Sequence, residues 1–78
     1  MAAVNKQTGN AYENLANAII VQAAEDYRRL LKRAKKNPAK REALDEALQI
    51  ERFFRSGWYQ RLTNVDGEFL ICKLQEDI

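Results

Sequence analysis

Glu51-Arg52-Phe53-Phe54-Arg55-Ser56-Gly57-Trp58-Tyr59 places four of the chain's seven aromatic residues within nine positions. Aromatic side chains bury large areas and dominate core energetics. The stretch lies where a long amphipathic pattern ends and a compact C-terminal segment begins. Ser56-Gly57 interrupts helical patterning between Phe54 and Trp58. The chain is therefore expected to turn here and to fold Trp58 back onto what precedes it, making this stretch the hub of the core.

Upstream of the hub the apolar residues recur at helical spacing. Tyr12, Leu15/Ala16, Ile19, Ala23, Tyr27, Leu30 and Ala34 advance in steps of three and four, with Ile20 and Leu31 widening the stripe. Asn10 followed by Glu13 has the spacing of a capping box with Asn as the cap. Helix 1 is thus expected to start at Ala11, after a flexible arm over residues 1–9 that has little apolar content. It should end at Lys36 or Asn37, because Pro38 disfavours helical geometry in the residue before it. Pro38 then suits the first position of helix 2, capped by Asn37. So short a corner implies an antiparallel hairpin. Helix 2 is expected from Pro38 to Arg55, with Ala43, Ala47, Ile50 and Phe54 in one row and Leu44, Leu48 and Phe53 broadening it. Glu25 with Arg29, Arg41 with Asp45, and Glu51 with Arg55 stand four apart, the spacing of surface ion pairs.

Downstream, Ser56 can cap a short helix 3 from Gly57 to about Thr63. Asn64-Val65 forms a turn, and Asp66 caps helix 4 from Gly67 to about Glu76. Phe69, Leu70, Leu74 and Ile78 supply its apolar contacts, with Ile71 and Cys72 nearby. The rival reading is a β-hairpin, since Asp66-Gly67 is a strong two-residue turn signal. Helix is preferred because Leu70, Leu74 and Ile78 keep a four-residue spacing and Lys73-Leu74-Gln75-Glu76 lacks β-branched residues.

With 78 residues, one domain is the sensible count, occupying residues 10–78 beyond the arm. One cysteine, Cys72, allows no intramolecular disulfide, and histidine is absent. These facts remove most zinc sites, every Ser-His or Cys-His dyad and c-type haem attachment. The apolar run Ala18-Ile19-Ile20-Val21 is too short to span a bilayer. A lone cysteine and no signal-peptide pattern fit a reducing cytoplasm. A domain this small is marginal alone, so self-association is expected, a homodimer first.

The net charge is +2, but its distribution is uneven. Arg28, Arg29, Lys32, Arg33, Lys35, Lys36, Lys40 and Arg41 put eight of thirteen basic residues into fourteen positions, with no acid among them. Such a patch can neutralise phosphates or dock an acidic protein groove. It also suits a plain solvated face, since cations at a helix C-terminus are favoured by the macrodipole. Tyr27 is the one aromatic nearby, and it belongs to the core stripe, which weighs against base stacking. Phe53 and Phe54 are adjacent and point about 100° apart on a helix. One of them can therefore escape the core, and Phe53 and Trp58 are the candidate interface anchors. Asp66 and Glu68 read as a cap and a first-turn acid, and Cys72 as a small buried hydrophobe. No carboxylate pair joins a nucleophile, a metal-ligand spacing or a glycine-rich phosphate loop.

Ile50 to Tyr59, continuing through Leu62-Thr63, Val65-Asp66-Gly67-Glu68-Phe69-Leu70-Ile71 and Lys73-Leu74, resembles short uncharacterised proteins encoded in phages, prophages and mobile elements of Gram-positive bacteria. Ala18-Ile19-Ile20 and Asp26-Tyr27-Arg28 share in the resemblance, which covers most of the chain after Asn10. It implies an accessory protein that binds and blocks host machinery, including antiviral defence, anti-CRISPR activity among the candidates. It implies no catalytic residues.

The expected fold is all-α: a long antiparallel two-helix hairpin closed by one short and one medium helix. The expected function is non-catalytic binding of a host or phage macromolecule, first a protein, without cofactor, metal or membrane. The alternative is a small DNA- or RNA-binding protein using the same basic residues on phosphates.

Overall fold

The computed structural model describes residues 2–77, with side chains from residue 13 onward. Four helices follow one another: α1 (Ala2–Lys36), α2 (Glu42–Phe54), α3 (Gly57–Leu62) and α4 (Gly67–Glu76). The fold is all-α, and no strand occurs among the described residues. The β-hairpin rival at Asp66-Gly67 is thereby excluded. α1 is the spine, and α2, α3 and α4 all pack against it. The molecule is elongated, 56 × 19 × 19 Å.

α1 begins nine residues earlier than its capping signal predicts. Its backbone is helical from Ala2, so Asn10 lies inside the helix and does not cap it. The Asn10/Glu13 spacing is a local preference, and no proline in Ala2–Gly9 opposes continuation. The predicted contacts of Tyr12 and Ile78 lie outside the described side chains.

The corner after α1 also departs from expectation. Asn37 N–H donates to the Arg33 carbonyl at 3.0 Å, closing the last helical turn. Lys40 N–H then donates to the Asn37 carbonyl at 3.0 Å, a β-turn with Pro38 in its second position. Pro38 is accommodated by that turn and is not the first residue of α2, which starts four residues later at Glu42. Arg41 precedes it with helical backbone and no side-chain cap, while Glu42 and Asp45 place acids in the first turn, where the helix dipole favours them.

Ser56 ends α2 and starts α3 with one hydroxyl. Its Oγ donates to the Phe53 carbonyl at 2.6 Å and accepts from Tyr59 N–H at 3.1 Å. One donor and one acceptor left open at two helix ends are satisfied together, which fixes the turn between them. Thr63 Oγ1 accepts from Val65 N–H at 3.2 Å in the next turn. Asp66 then precedes α4 with extended backbone, but its side chain makes no cap hydrogen bond.

The core collects Tyr27 and Leu30 of α1, Ala43, Ala47 and Phe54 of α2, Tyr59 of α3, and Ile71 and Leu74 of α4. Its centre is aromatic. Phe54 meets Tyr27 edge-on at 5.9 Å and Tyr59 edge-on at 5.7 Å, and Phe53 meets Tyr59 edge-on at 5.8 Å. Each such pair contributes about 0.5–1.5 kcal/mol beyond its area burial. Ala43 and Ala47 are both buried and let α2 approach α1 closely.

Trp58 does not fold back. It is 57% exposed, and its neighbour Tyr59, 1% exposed, takes the central place. α3 has six residues and one buried face, so two adjacent rings about 100° apart cannot both enter. The outward phase applies on α4 too. Ile71 and Leu74 are buried, whereas Phe69 is 56% exposed and Cys72 is exposed, not a buried hydrophobe. Leu44 and Leu48, expected to broaden the packed row of α2, are also exposed.

Candidate binding surfaces

Three surfaces follow from this packing. The first is the basic corner. α1 turns its core stripe toward α2 and α4, so the basic residues that alternate with that stripe fall on the outward side. Arg28 is half-buried and lies 3.9 Å from Asp77, and Arg29 pairs with Asp26 one turn back. The other six, Lys32, Arg33, Lys35, Lys36, Lys40 and Arg41, have no ion-pair partner among the described residues. The predicted Arg41–Asp45 and Glu25–Arg29 pairs do not form among them. Arg33, Asn37, Lys40 and Glu42 line one hollow at the corner, and Lys35, Pro38, Lys40 and Arg41 line another. The corner concentrates positive charge without a built anion pocket.

The second surface is aromatic. Phe53 and Trp58, the two predicted anchors, part company. Phe53 is half-buried and packed between Phe54, at 5.6 Å, and Tyr59. Trp58 stands free on α3, whose geometry is fixed by the Ser56 hydroxyl on one side and buried Tyr59 on the other. Phe69 is exposed on α4, with the Lys73 ammonium 5.7 Å from its ring centre. Trp58 lies beyond the C-terminal end of α2, and the basic corner lies at its N-terminal end. Thirteen helical residues span about 20 Å, so the corner cations Lys35, Lys36, Lys40 and Arg41 form a surface apart from Trp58, while Arg28, next to Tyr27 and 3.9 Å from Asp77, lies nearer the C-terminal end of α2.

The third surface was not anticipated. A groove of about 850 Å³ runs between α1 and α2, floored by Ile19, Ala23, Leu30, Ile50 and Phe53. Asp26, Arg29, Arg33 and Glu46 stand along it. Its α1 floor residues Ile19, Ala23 and Leu30 all belong to the same periodic stripe as the core, so spacing alone does not mark the groove.

Beneath these surfaces runs a polar chain that ties all three longer elements together. Tyr27 donates its hydroxyl hydrogen to Glu51 Oε2 at 2.6 Å and accepts from Gln75 Nε2 at 3.1 Å. Glu51 Oε1 accepts from Arg55 Nη1 at 3.1 Å, the predicted four-residue pair, and Arg55 also holds Glu68. The Arg55 guanidinium keeps the Glu68 carboxyl below its usual range. Burial first, and the Glu51 carboxylate second, push the Tyr27 hydroxyl up to about 12. Its folded value thus exceeds that of an unfolded tyrosine, about 10. Stabilisation by neutral Tyr27 is full below about pH 10 and is lost as pH rises toward about 12. An alkaline absorbance titration should therefore show Tyr27 ionising late, and Tyr27→Phe should remove one tyrosine's share of the late absorbance change. Tyr59 is also raised, by burial and then by the Asp66 charge, and its hydroxyl finds no hydrogen-bond partner among the described residues.

No cluster of three metal-binding side chains occurs among the described residues, and none of their helices is long and apolar enough to cross a membrane. Glu51 is committed to Tyr27 and Arg55, and Glu68 to Arg55, so these carboxylates act in packing. No family model, no curated protein and no solved structure matches the chain.

Proposed function

We propose that the chain is a non-catalytic accessory protein of the phage type, acting in the bacterial cytoplasm. It binds a host protein and blocks it sterically, host antiviral defence being the target class that the resemblance implies. The observation that carries this reading is Trp58. The only tryptophan of the chain is 57% exposed on a short helix locked by a cap and a buried neighbour. A rigid exposed tryptophan loses little conformational freedom on binding, and tryptophan is among the residues most enriched at interface hot spots. Phe69, also exposed, adds a second ring on α4.

The basic corner supports the alternative, a nucleic-acid contact through phosphates. The two readings separate experimentally. Trp58→Ala should leave helicity and thermal stability unchanged and abolish specific capture of a host protein from lysate. A DNA duplex and an RNA should bind weakly at most, and only at low salt. Capture unaffected by Trp58→Ala would overturn the anchor. Tight nucleic-acid binding with a steep salt slope, lost in a Lys32/Lys36/Lys40→Ala variant, would replace the protein reading with the phosphate one.

A further inference from the structure

Residues 14–24 of α1, Asn-Leu-Ala-Asn-Ala-Ile-Ile-Val-Gln-Ala-Ala, carry no charge, although 31% of the chain is charged. Much of this segment is not covered by the rest of the fold. Leu15 is 61% exposed, Val21 is 53% exposed, and Asn14, Asn17, Ala18 and Gln22 are exposed. A helix face turned to water ordinarily bears charged residues. Here the core stripe takes Ala16, Ile20, Ala23 and Ala24, while Leu15 and Ile19 continue a separate line into the α1–α2 groove. That line is apolar over Tyr12, Leu15 and Ile19, in steps of three and four, the spacing of a short helix–helix seam, and ends at polar Gln22 and Asp26. The spine is long enough to reach a partner. α1 has 35 residues, about 52 Å, against 13 residues and about 20 Å for α2.

We propose that a second copy of this chain covers the segment. The two α1 helices run antiparallel about a two-fold axis near Ile19, and Leu15 of each enters the mouth of the other's groove beside Ile50 and Phe53. Charge selects this occupant and this orientation. An uncharged segment fits an uncharged surface, and an antiparallel two-fold pairs residues 14–24 with themselves along their whole length. Asp26 and Arg29, at the edge of that segment, already neutralise one another, and the other charged groups of the groove, Arg33 and Glu46, stand farther along it toward the basic corner. The same orientation carries the two basic corners, with their Lys32, Lys36 and Lys40 ammoniums, to opposite ends of the dimer. A parallel pair would stack them side by side. Ala18, small and exposed beside the axis, permits close approach of the two helices. A stable interface needs about 800 Å² per copy, roughly an eighth of the 6040 Å² surface of one chain.

The proposal is independent of Trp58 and of any host partner. Light scattering should give twice the 9.0 kDa chain mass at micromolar concentration, unchanged by high salt and by Trp58→Ala. Leu15→Glu, at a position the fold leaves exposed, should keep full helicity and raise the dimer dissociation constant by about 30-fold or more. In a Cys72→Ser background, Ala18→Cys should form an intermolecular disulfide under mild oxidation, and Lys36→Cys should not. A monomeric wild type, or a Leu15→Glu protein that dimerises as before, would overturn the interface. Cross-linking through Lys36→Cys and not Ala18→Cys would overturn the orientation.

Discussion

Gly67→Ala is expected to destabilise the fold by about 3 kcal/mol or more, at or above the upper end of ordinary overpacking. A Cβ built on Gly67 collides with the Phe54 carbonyl oxygen and lies 2.9 Å from its carbonyl carbon. Both atoms belong to the backbone of α2, so no side chain can swing aside. α4 has to retreat from α2, and that movement opens the contacts of Ile71 and Leu74 with the core. For a domain of this size a loss of that magnitude lowers Tm by about 12 °C or more. Gly57 provides the comparison, because a Cβ there meets nothing within 4 Å. Gly57→Ala should leave Tm unchanged or slightly raised. Equal Tm values for the two variants, read by thermal circular dichroism, would refute the close approach of α4 to α2.

The second large effect is expected at Phe54. Its ring is 1% exposed and touches Tyr27, Phe53 and Tyr59, so it joins α1, α2 and α3 at one point. Phe54→Ala removes all three ring contacts and leaves a cavity, at a cost of about 3–5 kcal/mol. The single core of a domain under about 80 residues rarely supplies more than about 3–5 kcal/mol, so this variant should be partly unfolded at ambient temperature. Phe53→Ala should cost less, since Phe53 is half-buried and one side of its ring borders the open groove. Urea midpoints measure both. A Phe53→Ala loss exceeding that of Phe54→Ala would reverse the assignment of the core centre.

What the sequence made legible is the periodic part. The α1 stripe, the row Ala43, Ala47, Ile50 and Phe54, the break at Ser56-Gly57 and the cap by Ser56 follow from spacing and local chemistry. The start of α2 at Glu42 is not legible in the sequence because Pro38 satisfies two geometries equally well, a helix start and the second position of a β-turn. The outward turn of Trp58 was missed because a six-residue helix has too few apolar positions to reveal its phase. Gly67 illustrates a deeper limit. Locally Asp66-Gly67 reads as a cap or a turn, yet glycine is required there by the carbonyl of Phe54, far back along the chain on another helix. The candidate surfaces were legible by composition alone. The basic run was visible as charge, but its separation from Trp58 depends on where α2 begins and ends. The groove is hidden in the sequence because Ile19 and Ile50 fit the same helical periodicity as the core residues.

The exposed indole has a consequence for following this molecule in solution. Trp58 is already in water when the chain is folded, so its emission changes little on denaturation and reports poorly on folding. The buried tyrosines and the helix signal have to serve for that. By the same placement, any partner that covers the α3 face moves the sole indole from water into a drier setting. Intrinsic fluorescence thus becomes a reporter of docking, built into the protein and needing no label.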